Sequence, residues 1–129
     1  GVIYYNDSKA TNPGAVAAAL WALPGPVIWI AGGSEKGLDY SSLAGPVSVR
    51  VRLALLLGES REKLKEVVAG RVPFRLVRDL EEAVRIAAEN ARTGDSVLLS
   101  PGCASFDMFQ NYRERGDRFK ELVNRIVND

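Results

Sequence analysis

The chain contains no histidine, which removes the commonest general base and metal ligand, so a Ser-His-Asp triad, a Cys-His pair or a histidine zinc site cannot be built from it. Cys103 is the only cysteine. An intrachain disulfide and a cysteine zinc cluster are excluded with it, nothing argues for an oxidising compartment, and the cytoplasm is the default. No excess of one charge exists either: 17 Lys and Arg stand against 16 Asp and Glu, a net charge of +1. The one basic surplus, over residues 50–92, is spread out with no clustered aromatics, so nucleic acid gains no support as a partner. Residues 10–34 carry no charge, but Leu23-Pro24-Gly25-Pro26 cuts that stretch into pieces too short to cross a membrane. No positively charged segment precedes it, so it does not read as a signal peptide. The glycines at Gly32-Gly33 are followed by neither a Gly-Lys-Ser/Thr nor a G-x-G-x-x-G pattern. The chain therefore has no recognisable triphosphate cradle, and no metal site is expected in it.

What is present is an alternation of strands and helices in 129 residues, the size of one ordinary domain, with 47% hydrophobic residues. Val2-Ile3-Tyr4-Tyr5 predicts a first strand, and Asn12 as N-cap with Pro13 behind it opens a helix ending near Pro24. Val27–Ala31 reads as a buried strand. A weak segment near Ser41–Val47 follows, then a strand from Val51 to Leu57 and a short charged helix from Ser60 to Val68. Phe74–Val77 is a further strand. Asp79 with Glu82 forms a capping box for a helix that Thr93-Gly94 stops, and Ser96–Leu99 is the last strand. The final segment, Phe106 to Val127, is expected to break at Gly116, with Asp117 capping a helix. This order predicts an α/β domain: a mostly parallel sheet with helices on both faces. In such sheets ligands bind beyond the carboxyl ends of the strands, so chemistry belongs to the loops after Tyr5, Ala31 and Leu99.

Those loops each allow two readings. Lys36 is either a solvated lysine or an anion-binding one. The polar run Asn6–Asn12 at a helix N-terminus suits an anion, but ordinary capping by Asp7, Ser8 and Asn12 explains it equally. Ser100–Ser105 is rich in small residues that admit a ligand to the backbone, while Ser105 alone could be an N-cap. Phe106, Phe109 and Tyr112 fit a core stripe better than a ligand platform, and Cys103 fits a small buried filler.

Taken together, Asn6-Asp7-Ser8-Lys9-Ala10-Thr11-Asn12, Gly32-Gly33 with Lys36 and Asp39-Tyr40, and Leu98-Leu99-Ser100-Pro101-Gly102-Cys103-Ala104-Ser105-Phe106-Asp107 with Phe109, Asn111-Tyr112, Arg115-Gly116 and Phe119 resemble the Mur ligases, and within them the branch that adds D-glutamate. The resemblance runs through the whole chain, and the Asp-Asn-Pro-Arg signature of the diaminopimelate-adding branch is absent. It implies a Rossmann-like C-terminal domain, preceded in the parent protein by a UDP-binding domain and a central ATPase domain that lie outside this chain. It also implies a reaction: ATP, with Mg2+, activates the carboxylate of UDP-N-acetylmuramoyl-L-alanine as an acyl phosphate, which the amine of D-glutamate attacks. The resemblance places Thr11, Lys36, Ser105, Phe106 and Tyr112 around the two D-glutamate carboxylates. It places Asp7 on the nucleotide ribose and Lys9 on the phosphate and acyl-phosphate side. Where family members often carry Phe and Ala, this chain has Tyr112 and Gly102, so a backbone contact is the expected role at Tyr112. A stand-alone α/β module for an anionic metabolite, or a domain of a folylpolyglutamate synthase-like ligase, are the competing readings.

Overall fold

The computed structural model describes residues 1–105 and 108–127. Among them are five strands, β1 (Ile3–Asn6), β2 (Val27–Gly32), β3 (Val51–Leu57), β4 (Phe74–Leu76) and β5 (Ser96–Leu99). Five α-helices accompany them: α1 (Pro13–Ala22), α2 (Ala44–Arg50), α3 (Arg61–Val68), α4 (Leu80–Asn90) and α5 (Tyr112–Val127). The strands pair in the order β1-β5-β2-β3-β4, every pair parallel. Because successive side chains point to opposite faces of a strand, each central strand feeds two cores. Trp29, Ala31 and Leu98 join Val16, Leu20, Val47 and Leu64 under α1, α2 and α3. Ile28, Ile30, Val97 and Leu99 join Leu80, Val84, Phe119 and Leu122 under α4 and α5. Both faces are covered, as a parallel sheet requires.

Local sequence explains most boundaries. Asn12 Oδ1 accepts the Ala15 N–H at 3.0 Å, with Pro13 opening α1. Asp79 Oδ1 accepts the Glu82 N–H at 2.9 Å, but Glu82 reaches back to the Arg78 N–H at 2.8 Å and not to that of Asp79, so the expected box closes one residue earlier. Two expectations fail. The weak segment near Ser41–Val47 is helical, a 3-10 turn over Ser41–Leu43 running into α2. Burial of Leu43, Pro46 and Val47 sustains it despite Gly45, and Pro46 sits in the first turn, where its missing N–H costs no hydrogen bond. Nor does the last helix break at Gly116: α5 runs unbroken from Tyr112 through Asp117 to Val127. Its N-terminus is capped by Asn111, whose Oδ1 accepts the Glu114 N–H at 2.9 Å. Gly116 serves contact, since a Cβ there would lie 2.9 Å from the Asn6 amide nitrogen and 3.2 Å from Ser8 Cβ.

Candidate functional site

The chain leaves β1 and β2 toward α1 and α2 on one face of the sheet and leaves β5 toward α5 on the other. With β5 between β1 and β2, the three outgoing connections diverge at neighbouring strand ends and open a crevice there. These are the three loops the sequence singles out.

The loop after β1 is pinned from two sides. From β5, the Leu99 carbonyl accepts the Asp7 N–H at 2.8 Å, Ser100 Oγ donates to Asp7 Oδ2 at 2.9 Å, and the Gly102 N–H donates to the Ala10 carbonyl at 2.8 Å. From α5, the buried Arg115 donates through Nε to Ser8 Oγ at 2.9 Å and through Nη2 to the Ser8 carbonyl at 2.8 Å. Ser8 Oγ in turn donates to the Tyr112 carbonyl at 2.6 Å. Asp7 and Lys9 therefore stand on a loop whose backbone is fixed before any ligand arrives. Together with Tyr5, Ala10, Leu98 and the alanines Ala15, Ala18, Ala19 and Ala22 of α1, they line a cleft of about 670 Å³. Its donor set suits a nucleotide's sugar and phosphate: a carboxylate accepts from hydroxyls, an ammonium meets an anion, and small side chains leave room for both. Among the described residues no three Asp, Glu, His or Cys side chains converge as ligands.

The loop after β2 carries Lys36, exposed between Glu35 and Gly37. Glu35 accepts the Gly37 N–H at 2.6 Å and pairs with Lys63 at 3.5 Å. That N–H is the main cause that holds the Glu35 carboxyl below its ordinary range; burial opposes it, and the Lys63 charge adds to the lowering. Asp39 is held low in the same way by the Ser41 N–H at 2.9 Å. Lys36 makes no ion pair among the described residues.

The loop after β5 holds Ser105, which is buried and whose carbonyl accepts the N–H groups of Met108 and Phe109. It does not cap a helix, since α5 begins only at Tyr112. Phe106 lies outside the described residues. The structure thus brings Asp7 and Lys9 into one cleft. Thr11 just before α1, Lys36 in the loop after β2, Ser105 in the loop after β5 and Tyr112 at the first position of α5 do not line that cleft. Ser100 and Arg115, which fix Asp7 and Ser8, carry no local signal of that role, because their partners lie 93 and 107 positions away.

Comparison with known proteins adds the decisive observation. Residues 1–103 match the model of the Mur ligase, glutamate ligase domain. The chain belongs to the Mur ligase family. It is 49% identical over 127 residues to the UDP-N-acetylmuramoylalanine--D-glutamate ligase of Chlorobium chlorochromatii, 50% over 130 residues to that of Hahella chejuensis and 48% over 124 residues to that of Aquifex aeolicus. These alignments cover 98%, 98% and 95% of the chain but only 27%, 29% and 30% of the relatives. The chain thus spans about three-tenths of the length of the curated relatives it matches. In fold it is similar to a domain from a UDP-N-acetylmuramate:L-alanyl-gamma-D-glutamyl-meso-diaminopimelate ligase of Haemophilus ducreyi, with a TM-score of 0.57, 15% identity, and 98% of this chain and 88% of that one covered. That likeness bears out the α/β architecture of this Mur ligase domain. No helix among the described residues is long and apolar enough to cross a membrane.

Proposed function

We propose that this chain is the amino-acid-binding domain of an ATP-dependent ligase that joins D-glutamate to UDP-N-acetylmuramoyl-L-alanine in peptidoglycan precursor synthesis. The observation that carries the reading is identity near 50% over almost the whole chain to ligases of that name. We assign the triphosphate cradle and the magnesium ligands to the UDP-binding and ATPase domains of the parent protein. We place the enzyme in the cytoplasm, in keeping with a single buried, unbridged cysteine.

In this reading ATP supplies the phosphoryl group that activates the acceptor carboxylate. Asp7, oriented by Ser100, accepts from the ribose hydroxyls, and Lys9 faces the phosphate and the oxyanion developing at the activated carboxylate. Thr11, Lys36, Ser105, Phe106 and the backbone at Tyr112 hold the two D-glutamate carboxylates, leaving its amine to attack. A dianionic amino acid calls for a lysine, hydroxyls and N–H groups converging on it, which is the inventory of these loops. Closing this domain over the nucleotide brings the loops together and excludes water.

The test is to express the chain alone and joined to its two preceding domains and to measure phosphate release with UDP-N-acetylmuramoyl-L-alanine and D-glutamate. The joined protein releases phosphate only when all substrates are present, and the chain alone releases none. D-glutamate-independent turnover of the joined protein, or amide formation by the chain alone, would overturn the reading.

A further inference from the structure

The loop between β2 and α2 is held at its two ends by consecutive residues of another loop. At its start the Ser34 N–H donates to the Ala104 carbonyl at 2.8 Å. At its end the Tyr40 hydroxyl lies 2.9 Å from Cys103 Sγ. Between these pins, residues 35–37 are exposed, with Lys36 among them. A third contact steadies the anchor: Ser60 Oγ, at the start of α3, lies 3.1 Å from the same sulfur and accepts the Gly33 N–H at 3.1 Å. Outside, the Lys63 ammonium sits 5.6 Å from the Tyr40 ring centroid and pairs with Glu35.

We propose that Tyr40 and Cys103 are positioning residues for D-glutamate, locking the loop that carries Lys36 to the loop that carries Ser105. The inference rests on the function proposed above and adds to it two residues that touch no substrate.

Tyr40 is 2% exposed, and Cys103 and Ser60 are fully buried, in a region otherwise filled by Val16, Leu43 and Leu64. A phenylalanine would fill the same space without a hydroxyl to satisfy, and a buried hydroxyl destabilises unless it is bonded. Filling the core therefore does not require the pair. What the pair adds is direction, since the 2.9 Å contact fixes the tip of the Tyr40 ring against Cys103. Burial first, and the Cys103 contact second, push the Tyr40 phenol far above its ordinary pKa, so it keeps its proton at every physiological pH and the contact does not titrate away. The span from Ser34 to Tyr40 is short and tethered at both ends to residues 103 and 104, immediately before Ser105. Lys36 and Ser105 thus move as one unit, and a carboxylate bridging them meets a preset separation. Releasing one pin lets the ammonium wander, and small misplacements of a binding group are costly.

The experiment is steady-state kinetics of the full-length ligase with each substrate varied in turn. Tyr40→Phe, which keeps the ring and removes one pin, should raise KM for D-glutamate about tenfold and leave the constants for ATP and the UDP substrate within about twofold. Cys103→Ala should do the same, Tyr40→Phe/Cys103→Ala should add nothing to either, and Cys103→Ser should recover most of the loss by keeping a donor and acceptor in place. Should Tyr40→Phe not fold, the comparison of Cys103→Ala with Cys103→Ser decides alone. Variants that lower the urea midpoint while leaving KM for D-glutamate unchanged would assign the pair a purely structural role and overturn the inference alone. A wild-type ligase that does not use D-glutamate would overturn the proposed function and this inference with it.

Discussion

Arg115 grips Ser8 twice, through its hydroxyl at 2.9 Å and its carbonyl at 2.8 Å, joining α5 to the loop after β1 across 107 positions of sequence. Arg115 is 2% exposed, and the planar fork of its guanidinium supplies both donors at once. Arg115→Ala should destabilise the chain by about 2–4 kcal/mol, the loss of charge-assisted bonds plus a cavity. Arg115→Lys should recover less than half of that, because a point ammonium cannot reproduce the fork. Urea unfolding measures both, and a loss below about 1 kcal/mol for Arg115→Ala would show that the grip is incidental.

Gly33 stands where the loops after β2 and β5 approach each other closely. A Cβ there would lie 2.2 Å from the Ala104 carbonyl oxygen and 3.1 Å from Cys103 Cβ. The obstacle is backbone, which cannot rotate aside. Gly33→Ala should cost more than about 3 kcal/mol or prevent folding, whereas Gly45→Ala, with nothing within 4 Å and a helical position, should be neutral or mildly stabilising. Equal thermal midpoints for the two variants would contradict the close approach.

These two cases show what a single sequence can and cannot disclose. The strands at Val27 and Val51, the Asn12-Pro13 start of α1 and the Asp79 cap are signalled within a few residues, and they form where the local pattern places them. The family signature likewise marks the loops by composition. Gly116 misleads because a glycine inside a helix reads as a stop, whereas here it admits Asn6 and Ser8 from the far end of the chain. In Ser41–Arg50 the apolar Leu43, Pro46 and Val47 are helically spaced, but Gly45 and Pro46 weaken the local signal, and the core beneath sustains the helix. The roles of Ser100, Arg115 and Tyr40 are invisible for the same reason, since each depends on a partner at least 63 positions away.

Asp95, at the mouth of β5, gives a pH signature. Burial alone would raise its pKa, but the Arg52 guanidinium at 2.6 Å, the Arg92 N–H at 2.8 Å and their charges outweigh burial and hold the carboxyl below its ordinary value. A carboxylate whose folded pKa is depressed contributes stability that is present above its unfolded pKa, about 4, and is lost as pH falls through the folded value. Asp95→Asn should therefore lower stability at pH 7 by about 1–3 kcal/mol and converge with wild type at acid pH. A gap in urea midpoints that persists undiminished near pH 2.5 would refute the linkage.

Lys36 is exposed and unpaired among the described residues, so its removal should leave the fold alone. Lys36→Ala should shift stability by no more than about 0.5 kcal/mol. In the full-length ligase it should weaken D-glutamate about ten- to a hundredfold, the loss of one charge-assisted contact, and move the constants for ATP and the UDP substrate much less. Kinetics with each substrate varied in turn would strike Lys36 from the site if the D-glutamate constant stayed within about twofold, the range of a screened surface charge.

β1 and β2 never touch through their backbones, because β5 lies between them. A ribosome making this chain from its N-terminus releases β1 more than ninety residues before the strand that completes its ladder. Until Ser96–Leu99 emerges, Ile3–Asn6 has no hydrogen-bonding neighbour and the loop bearing Asp7 and Lys9 has nothing to lean on. The candidate site is consequently born late: the β2-β3-β4 ladder can form during synthesis, while the loops after β1 and β2 wait for their pins from Leu99–Ala104, which follow one four-residue strand.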